Sequence, residues 1–153
     1  MKPSKLDRSP VHLFHRTMQL AHDLFMSQVE GTTPRQLAIL IAIDANPGAS
    51  QTVLTECTGI DRSTLSEVVR RLGKTGLVRR RRRRDDTRAY AVELTNEGQR
   101  LLRAAQPLAD KVDERLLGAL PASRRDQLLA MLSQLIETLA SDTESNRPVT
   151  QKA

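Results

Sequence analysis

A mainly helical fold with one small β-hairpin is predicted by three observations. Aromatic residues make up 2% of the 153, so any core must be built from aliphatic side chains. Apolar residues recur at three- and four-residue steps over most of the chain, the spacing of helices with one buried face. The period drops to two in one place, just after Gly76 and around the arginine run Arg79 to Arg84, which is the pattern of two short strands.

The elements follow in order. Ser9-Pro10 predicts a helix start, because serine caps free N–H groups and proline fits a first turn. Val11, Phe14, Met18, Ala21, Phe25 and Val29 then form one apolar stripe, and Leu13, Leu20 and Leu24 fall on a different face. A helix with two apolar faces needs covering from two sides, and in so short a chain a second copy of itself can be the second cover. Gly31 is expected to end it. Thr33-Pro34-Arg35-Gln36 has the form of a capping box, and Leu37, Leu40, Ile41 and Asp44 mark the face of a short helix that Asn46-Pro47-Gly48 stops. Ser50 caps a third helix holding Val53, Leu54 and Cys57, which Thr58-Gly59 breaks. Its place beside Leu54 predicts a buried, unreactive Cys57.

Asp61 caps a fourth helix, in which Leu65, Val68, Val69 and Leu72 form a single apolar stripe. Ser63, Glu67, Arg70, Arg71 and Lys74 lie opposite, with Arg62 and Ser66 on the flank nearer its start. Two short helices joined by a tight turn containing glycine, the second with a hydrogen-bonding outer face, form the helix-turn-helix pattern. Beyond Gly76, Leu77-Val78 begins one strand, and Tyr90, Val92 and Leu94 alternate with Ala91 and Glu93 in the next. Thr95 caps a helix with the stripe Leu101, Ala105, Leu108, Val112, Leu116 and Leu120, and Pro107 predicts a kink within it. Pro121 precedes a last helix with Leu128, Leu132, Leu135, Ile136 and Leu139 as its apolar face. From Ser141 to Ala153 the composition turns polar and predicts a disordered tail.

Charge locates the candidate site. Residues 61–88 carry a net charge of +7, whereas the other 125 residues sum to −1, so the excess of +6 belongs to one helix and the hairpin after it. That concentration is expected of an element that binds a nucleic-acid duplex. Side chains near the start of a helix in the major groove reach base edges, and arginine can donate two hydrogen bonds to guanine. The candidates are Arg62, Ser63, Ser66, Arg70 and Lys74, with Glu67 able to accept from cytosine. Hairpin arginines such as Arg82 and Arg84 can contact phosphates, and Arg88 can enter a narrow minor groove. Alternate strand residues face opposite ways, so about half of Arg79 to Arg84 can face one backbone. The others either repel one another or pair with Asp85 and Asp86.

Several classes are excluded or disfavoured. At 17.1 kDa the chain is one ordinary domain, or a small one with extra helices, and not a large multidomain enzyme. No phosphate-binding glycine loop, nucleophile motif or metal-spaced cluster of His, Asp and Glu is present, so neither an enzyme nor a cofactor is expected. A single cysteine permits no intramolecular disulfide, and there is no signal-peptide pattern or long apolar span, which predicts a cytoplasmic protein without membrane contact. Base stacking on aromatic platforms is disfavoured by the scarcity of aromatics.

The stretch SQTVLTECTGIDRSTLSEVVRRLGKTGLVRRRRRRDDTRAYAVELTNEG, Ser50 to Gly98, resembles the MarR family of winged-helix transcription regulators, and the likeness extends from about Pro10 to Ala140. TGIDRSTL is similar to the family's turn into its recognition helix, and Asp86-Thr87-Arg88 with Val92-Glu93-Leu94-Thr95 is similar to its wing signature. The resemblance implies a winged helix-turn-helix DNA-binding lobe over residues 32–106 and N- and C-terminal dimerisation helices over 10–31 and 107–140. It implies a homodimer reading a pseudo-palindrome in double-stranded DNA, with Asp86 bracing the wing and Arg88 as its minor-groove finger. The density of Arg79 to Arg84 departs from the usual wing and predicts steep salt dependence.

Family members often release DNA when a small aromatic acid or its thioester binds. SPVHLFHRTMQ together with RAYAVELT is similar to a subgroup associated with degradation of aromatic acids, including sensors of hydroxycinnamoyl-CoA. This implies a small anionic aromatic ligand or its CoA thioester, whose phosphates Arg16, Arg35 or wing arginines could meet. His12, His15 and His22, with Arg16 and Gln19, fall between the two apolar stripes of the first helix. They read equally as the edge of a ligand pocket or as a solvated polar strip, and His12 and His15 lack the further ligands of a zinc site. The expected function is a ligand-responsive dimeric regulator, a repressor, and the alternative is a nonspecific basic architectural protein binding DNA or RNA.

Overall fold

Local chemistry starts and stops each element. In a computed structural model that describes residues 5–82 and 90–145, a 3-10 turn at Leu6–Arg8 precedes six helices and two strands. These are α1 (Pro10–Gln28), α2 (Pro34–Ala45), α3 (Gln51–Thr58), α4 (Arg62–Lys74), β1 (Val78–Arg82), β2 (Tyr90–Leu94), α5 (Asn96–Gly118) and α6 (Ala122–Ser145). The expected fold class holds: mainly helical, with one two-stranded antiparallel hairpin. The expected caps are formed. Ser9 Oγ accepts from His12 N, Ser50 Oγ from Val53 N, Asp61 Oδ1 from Thr64 N and Thr95 Oγ1 from Gly98 N. Thr33 and Gln36 close the capping box in both directions.

The described residues fall in two compact units divided after Asp113. In the first, α2 is packed by α3, α4 and β2. Leu37, Ile39, Leu40, Ala42 and Ile43 of α2 are therefore all buried, joined by Leu54, Leu65, Val69, Leu72, Val78 and Val92. This broad buried arc corrects the expected face of α2. Ile41 is 38% exposed and Asp44 is exposed, because packing from several neighbours includes Ile39 and Ile43 and leaves the Ile41 edge outside. On α3 the buried residue is Leu54, while Val53 and Cys57 are exposed, so the expected burial of Cys57 is also corrected.

Three further boundaries and faces differ. Helix α1 ends at Gln28, before Gly31, because Val29 leaves the helix in an extended conformation and is buried at 1% exposure. In β2 the expected alternation fails, since Ala91 and Val92 are both buried. Its free edge is bound by the segment before α3: Val92 N donates to Ala49 O at 3.1 Å, and Ser50 bridges Ala91. Helix α5 runs through Pro107 as one element and buries Gly98, Leu102, Ala105 and Val112, while Leu108 is exposed.

The second unit contains α6, in which every residue from 122 to 142 is exposed except the half-buried Arg125 and Leu132. The helix continues to Ser145, past Ser141 where the polar composition predicts disorder. Polar residues extend an established helix at a cost of only tenths of a kcal/mol each, roughly 0.5, and the Ser141 hydroxyl donates to Glu137 O. Residues 146–153 of the expected tail lie outside the described residues. Among the described residues, no helix is long and apolar enough to cross a membrane.

Candidate nucleic-acid interface

The turn between α3 and α4 is built by short polar side chains and one left-handed glycine. Thr58 Oγ1 donates to Leu54 O at 2.7 Å and accepts from Ile60 N at 3.3 Å, and Gly59 follows at φ 65°. Only glycine takes that conformation without strain, so the chain reverses within three residues and enters α4. Asp61 Oδ1 then accepts from Ser63 Oγ at 2.6 Å and from Thr64 N. These bonds hold its carboxyl well below the usual carboxylate range. A hydrogen bond of 2.7 Å from Ser66 Oγ to Gln51 Oε1 ties the first turn of α3 to the second turn of α4. Gln51 is a site residue that sequence reasoning missed, since the contact spans fifteen positions.

Burial of Leu65, Val69 and Leu72 turns the other side of α4 to solvent. Arg62, Ser63, Arg70, Arg71 and Lys74 are exposed there, and Ser66 and Glu67 are half-buried. The expected polar face is thus assembled, with one difference at its centre. Both Glu67 carboxylate oxygens are engaged: Oε2 accepts from Arg70 Nε at 2.8 Å, and Oε1 accepts from Arg70 Nη2 at 2.7 Å and Arg71 Nε at 2.8 Å. The two guanidiniums lower its pKa to about 2. In this arrangement Glu67 is a partner for arginines, not the open acceptor for cytosine that its place on the helix suggests. The i,i+3 and i,i+4 spacing from Glu67 to Arg70 and Arg71 is the signal that could have found this.

A junction fixes the hairpin beside α4. Thr95 N donates to Leu77 O at 3.0 Å, and Thr95 Oγ1 lies 2.6 Å from Gly76 O and 3.1 Å from Leu77 O. The exit from α4 and the start of α5 therefore share one hydroxyl. In the hairpin, Arg79 lies opposite Glu93, Arg80 opposite Val92 and Arg82 opposite Tyr90. Glu93 pairs with Arg79 at 3.1 Å and Arg81 at 3.4 Å. Half of the described wing arginines thus have a counter-charge on their own face, supplied by Glu93. Arg80 and Arg82 are on the opposite face and exposed. Arg84, Asp86 and Arg88, with Asp85, lie outside the described residues.

On α1, His15, Arg16, Gln19 and His22 are exposed and His12 is half-buried. A cleft of about 270 Å³ lies between α2 and α5, lined by Asp44, Gln99, Leu102, Arg103 and Gln106, and no α1 residue is among these. Among the described residues no group of His, Cys, Asp and Glu could hold a metal ion.

Helix, left-handed turn, basic exposed helix and basic hairpin match known regulators. A family profile described as MarR family matches residues 30–89. The transcriptional regulator HosA of Escherichia coli is 34% identical over 128 residues, which cover 82% of this chain and 95% of HosA. The chain belongs to the MarR family. Among solved MarR-type structures, the PcaV transcriptional regulator of Streptomyces coelicolor, in complex with its natural ligand, aligns with a TM-score of 0.83 and 33% identity. That match covers 90% of this chain and 98% of PcaV. The transcriptional repressor CouR bound to a 23-mer DNA duplex aligns with a TM-score of 0.79 and 30% identity, over 88% of this chain and 97% of CouR. CouR has also been solved bound to p-coumaroyl-CoA. Membership in the MarR family makes this chain a transcriptional regulator and not an enzyme.

Proposed function

We propose that this MarR-family regulator is a homodimeric repressor that binds pseudo-palindromic double-stranded DNA and is released by a small anionic aromatic acid or its CoA thioester. The observation that carries the reading is the exposed basic face of α4 beside a basic hairpin. Arg62, Ser63, Ser66, Arg70 and Lys74 then face the major groove, and Arg82 contacts the phosphate backbone, with Arg84 and Arg88 as the further wing contacts and Asp86 as their brace.

Dimerisation is supported by apolar exposure on two helices. Val11, Leu13, Phe14, Met18 and Leu20 are exposed on α1, and Leu128, Leu129, Met131, Leu135, Ile136 and Leu139 are exposed on α6. Apolar rows of this extent are rare on soluble monomers. Residues 10–31 and 107–140 act as the dimer-forming segments and 32–106 as the DNA-binding lobe. Ligand release is supported by CouR, solved with both DNA and an aromatic CoA thioester, and by the ligand complex of PcaV. Exposed His15, Arg16, Gln19 and His22, with His12, are the candidate contacts for the ligand's anionic group.

The test is a mobility-shift titration on DNA flanking the protein's own gene with unrelated competitor present, repeated with aromatic acids and their CoA thioesters. A shift that survives competitor and is reversed by one compound is the expected result. Binding indifferent to sequence would instead identify a nonspecific basic DNA- or RNA-binding protein.

A further inference from the structure

We infer that Glu67 is a specificity-determining positioning residue, which holds the Arg70 guanidinium so that its far edge is presented to a guanine. The inference rests on the reading that α4 is the DNA-contacting helix.

The geometry is specific. Arg70 gives its Nε and Nη2 donors to the two oxygens of Glu67, at 2.8 and 2.7 Å, in a fork-to-fork pair. A guanidinium has five N–H groups, so this leaves the two on Nη1 and the second one on Nη2, at the tip of the side chain. Those remaining donors are adjacent and coplanar, the arrangement that meets O6 and N7 of guanine. Arg71 binds the same Oε1 through Nε alone at 2.8 Å, from one residue further along the helix. That contact uses its Nε donor alone and leaves its two terminal nitrogens for a phosphate.

The energy of such an exposed pair is not the source of its importance, since exposed ion pairs contribute little to stability. Its effect is on shape and charge. An untethered arginine samples many rotamers and can find a phosphate at almost any sequence, whereas a tethered one offers donors at one place. Glu67 also sets a negative charge in the middle of a helix face otherwise occupied by Arg62, Arg70, Arg71 and Lys74. Docking in a register that breaks the fork brings a carboxylate close to phosphates, so noncognate binding is penalised more than cognate binding. The pKa of about 2 keeps Glu67 ionised throughout the physiological range.

The experiment is selection from a random-sequence duplex pool by the full-length wild type, Glu67→Gln, Arg70→Ala and the double variant, followed by affinities for the selected site, its guanine-substituted versions and an unrelated duplex. The wild type is expected to select a guanine in each half-site, by roughly tenfold or more over other bases. Arg70→Ala loses that preference. Glu67→Gln reduces it at least about threefold while binding the unrelated duplex several-fold more tightly, and in the Arg70→Ala background it causes no further change in base preference. A purely structural role would lower affinity for all duplexes alike and leave the ratio unchanged, and that result overturns the inference. So does a full guanine preference in Glu67→Gln. Retained preference in Arg70→Ala removes Arg70 from base reading and overturns the inference while leaving DNA binding by the chain intact. No enrichment by the wild type overturns the sequence-specific reading on which it rests.

Discussion

Gly98 occupies a position where no side chain fits. A Cβ there would lie 2.0 Å from Leu77 O, a backbone atom that also accepts from Thr95 N. Either the first turn of α5 or the exit from α4 must move. Gly98→Ala is expected to cost about 2 kcal/mol or more and lower Tm by roughly 4–8 °C. Gly118→Ala, where a Cβ would meet nothing within 4 Å, is the control; equal unfolding curves for the two variants would refute the argument. Asp61 carries a second residue-scale prediction, through pH. Its folded-state pKa is lowered by the bonds from Ser63 and Thr64. Its stabilisation is therefore complete above the unfolded value near 3.8 and is lost as pH falls through the lower folded value. Glu67 adds to the loss in the same direction. Asp61→Asn should keep the cap yet flatten the decline in stability as pH falls below the unfolded value near 3.8, while Asp61→Ala should weaken α4 at every pH. Denaturant titrations across that range check this, and an unchanged acid limb in Asp61→Asn would remove Asp61 from the account.

At the scale of elements, the wing divides its arginines by strand register. Arg79 and Arg81 share Glu93 on one face, whereas Arg80 and Arg82 are exposed on the other. Each phosphate neutralised contributes about 0.9 to the slope of log affinity against log salt. Arg82→Gln is expected to reduce that slope by about 1, and Arg79→Gln by clearly less, since its charge is already countered. Affinities for one duplex at several salt concentrations measure both, and equal reductions would show that Glu93 does not divide them. The same register shows what was legible in the sequence. The caps at Ser9, Thr33, Ser50, Asp61 and Thr95 were readable because each bond spans three residues. The single stripe of α4 was readable because one side of it packs and the other does not. The buried arc of α2 was not, because it depends on α3, α4 and β2, which pack against it. Nor was the burial of both Ala91 and Val92, which depends on a distant segment at Ala49. In the site, the basic face was legible as charge, but Gln51 with Ser66 and Glu93 with Arg79 are products of tertiary placement.

For the whole molecule, the decisive quantity is what covers the apolar rows of α1 and α6. Leu20 is 60% exposed and Ile136 is 68% exposed, each within a row of exposed apolar neighbours on its own helix. Phe25 is buried at the C-terminal end of α1, but burial within the single chain does not account for the exposed rows of α1 and α6, and a second copy supplies the missing cover in the homodimer we propose. A charge placed on either row should then act on assembly and leave the helix-turn-helix core, centred on Leu40, Leu54 and Leu65, intact. Leu20→Glu and Ile136→Glu are expected to sediment as monomers at micromolar concentration while retaining wild-type helical content. Joining two DNA-binding lobes makes the second contact intramolecular, so losing the dimer should cost about 10²-fold or more in affinity for a two-half-site duplex. Affinity for a single half-site should hardly change. Sedimentation velocity paired with titrations on the two duplexes separates these effects. Dimers that persist in both variants, with undiminished preference for the two-half-site duplex, would mean that other surfaces join the subunits.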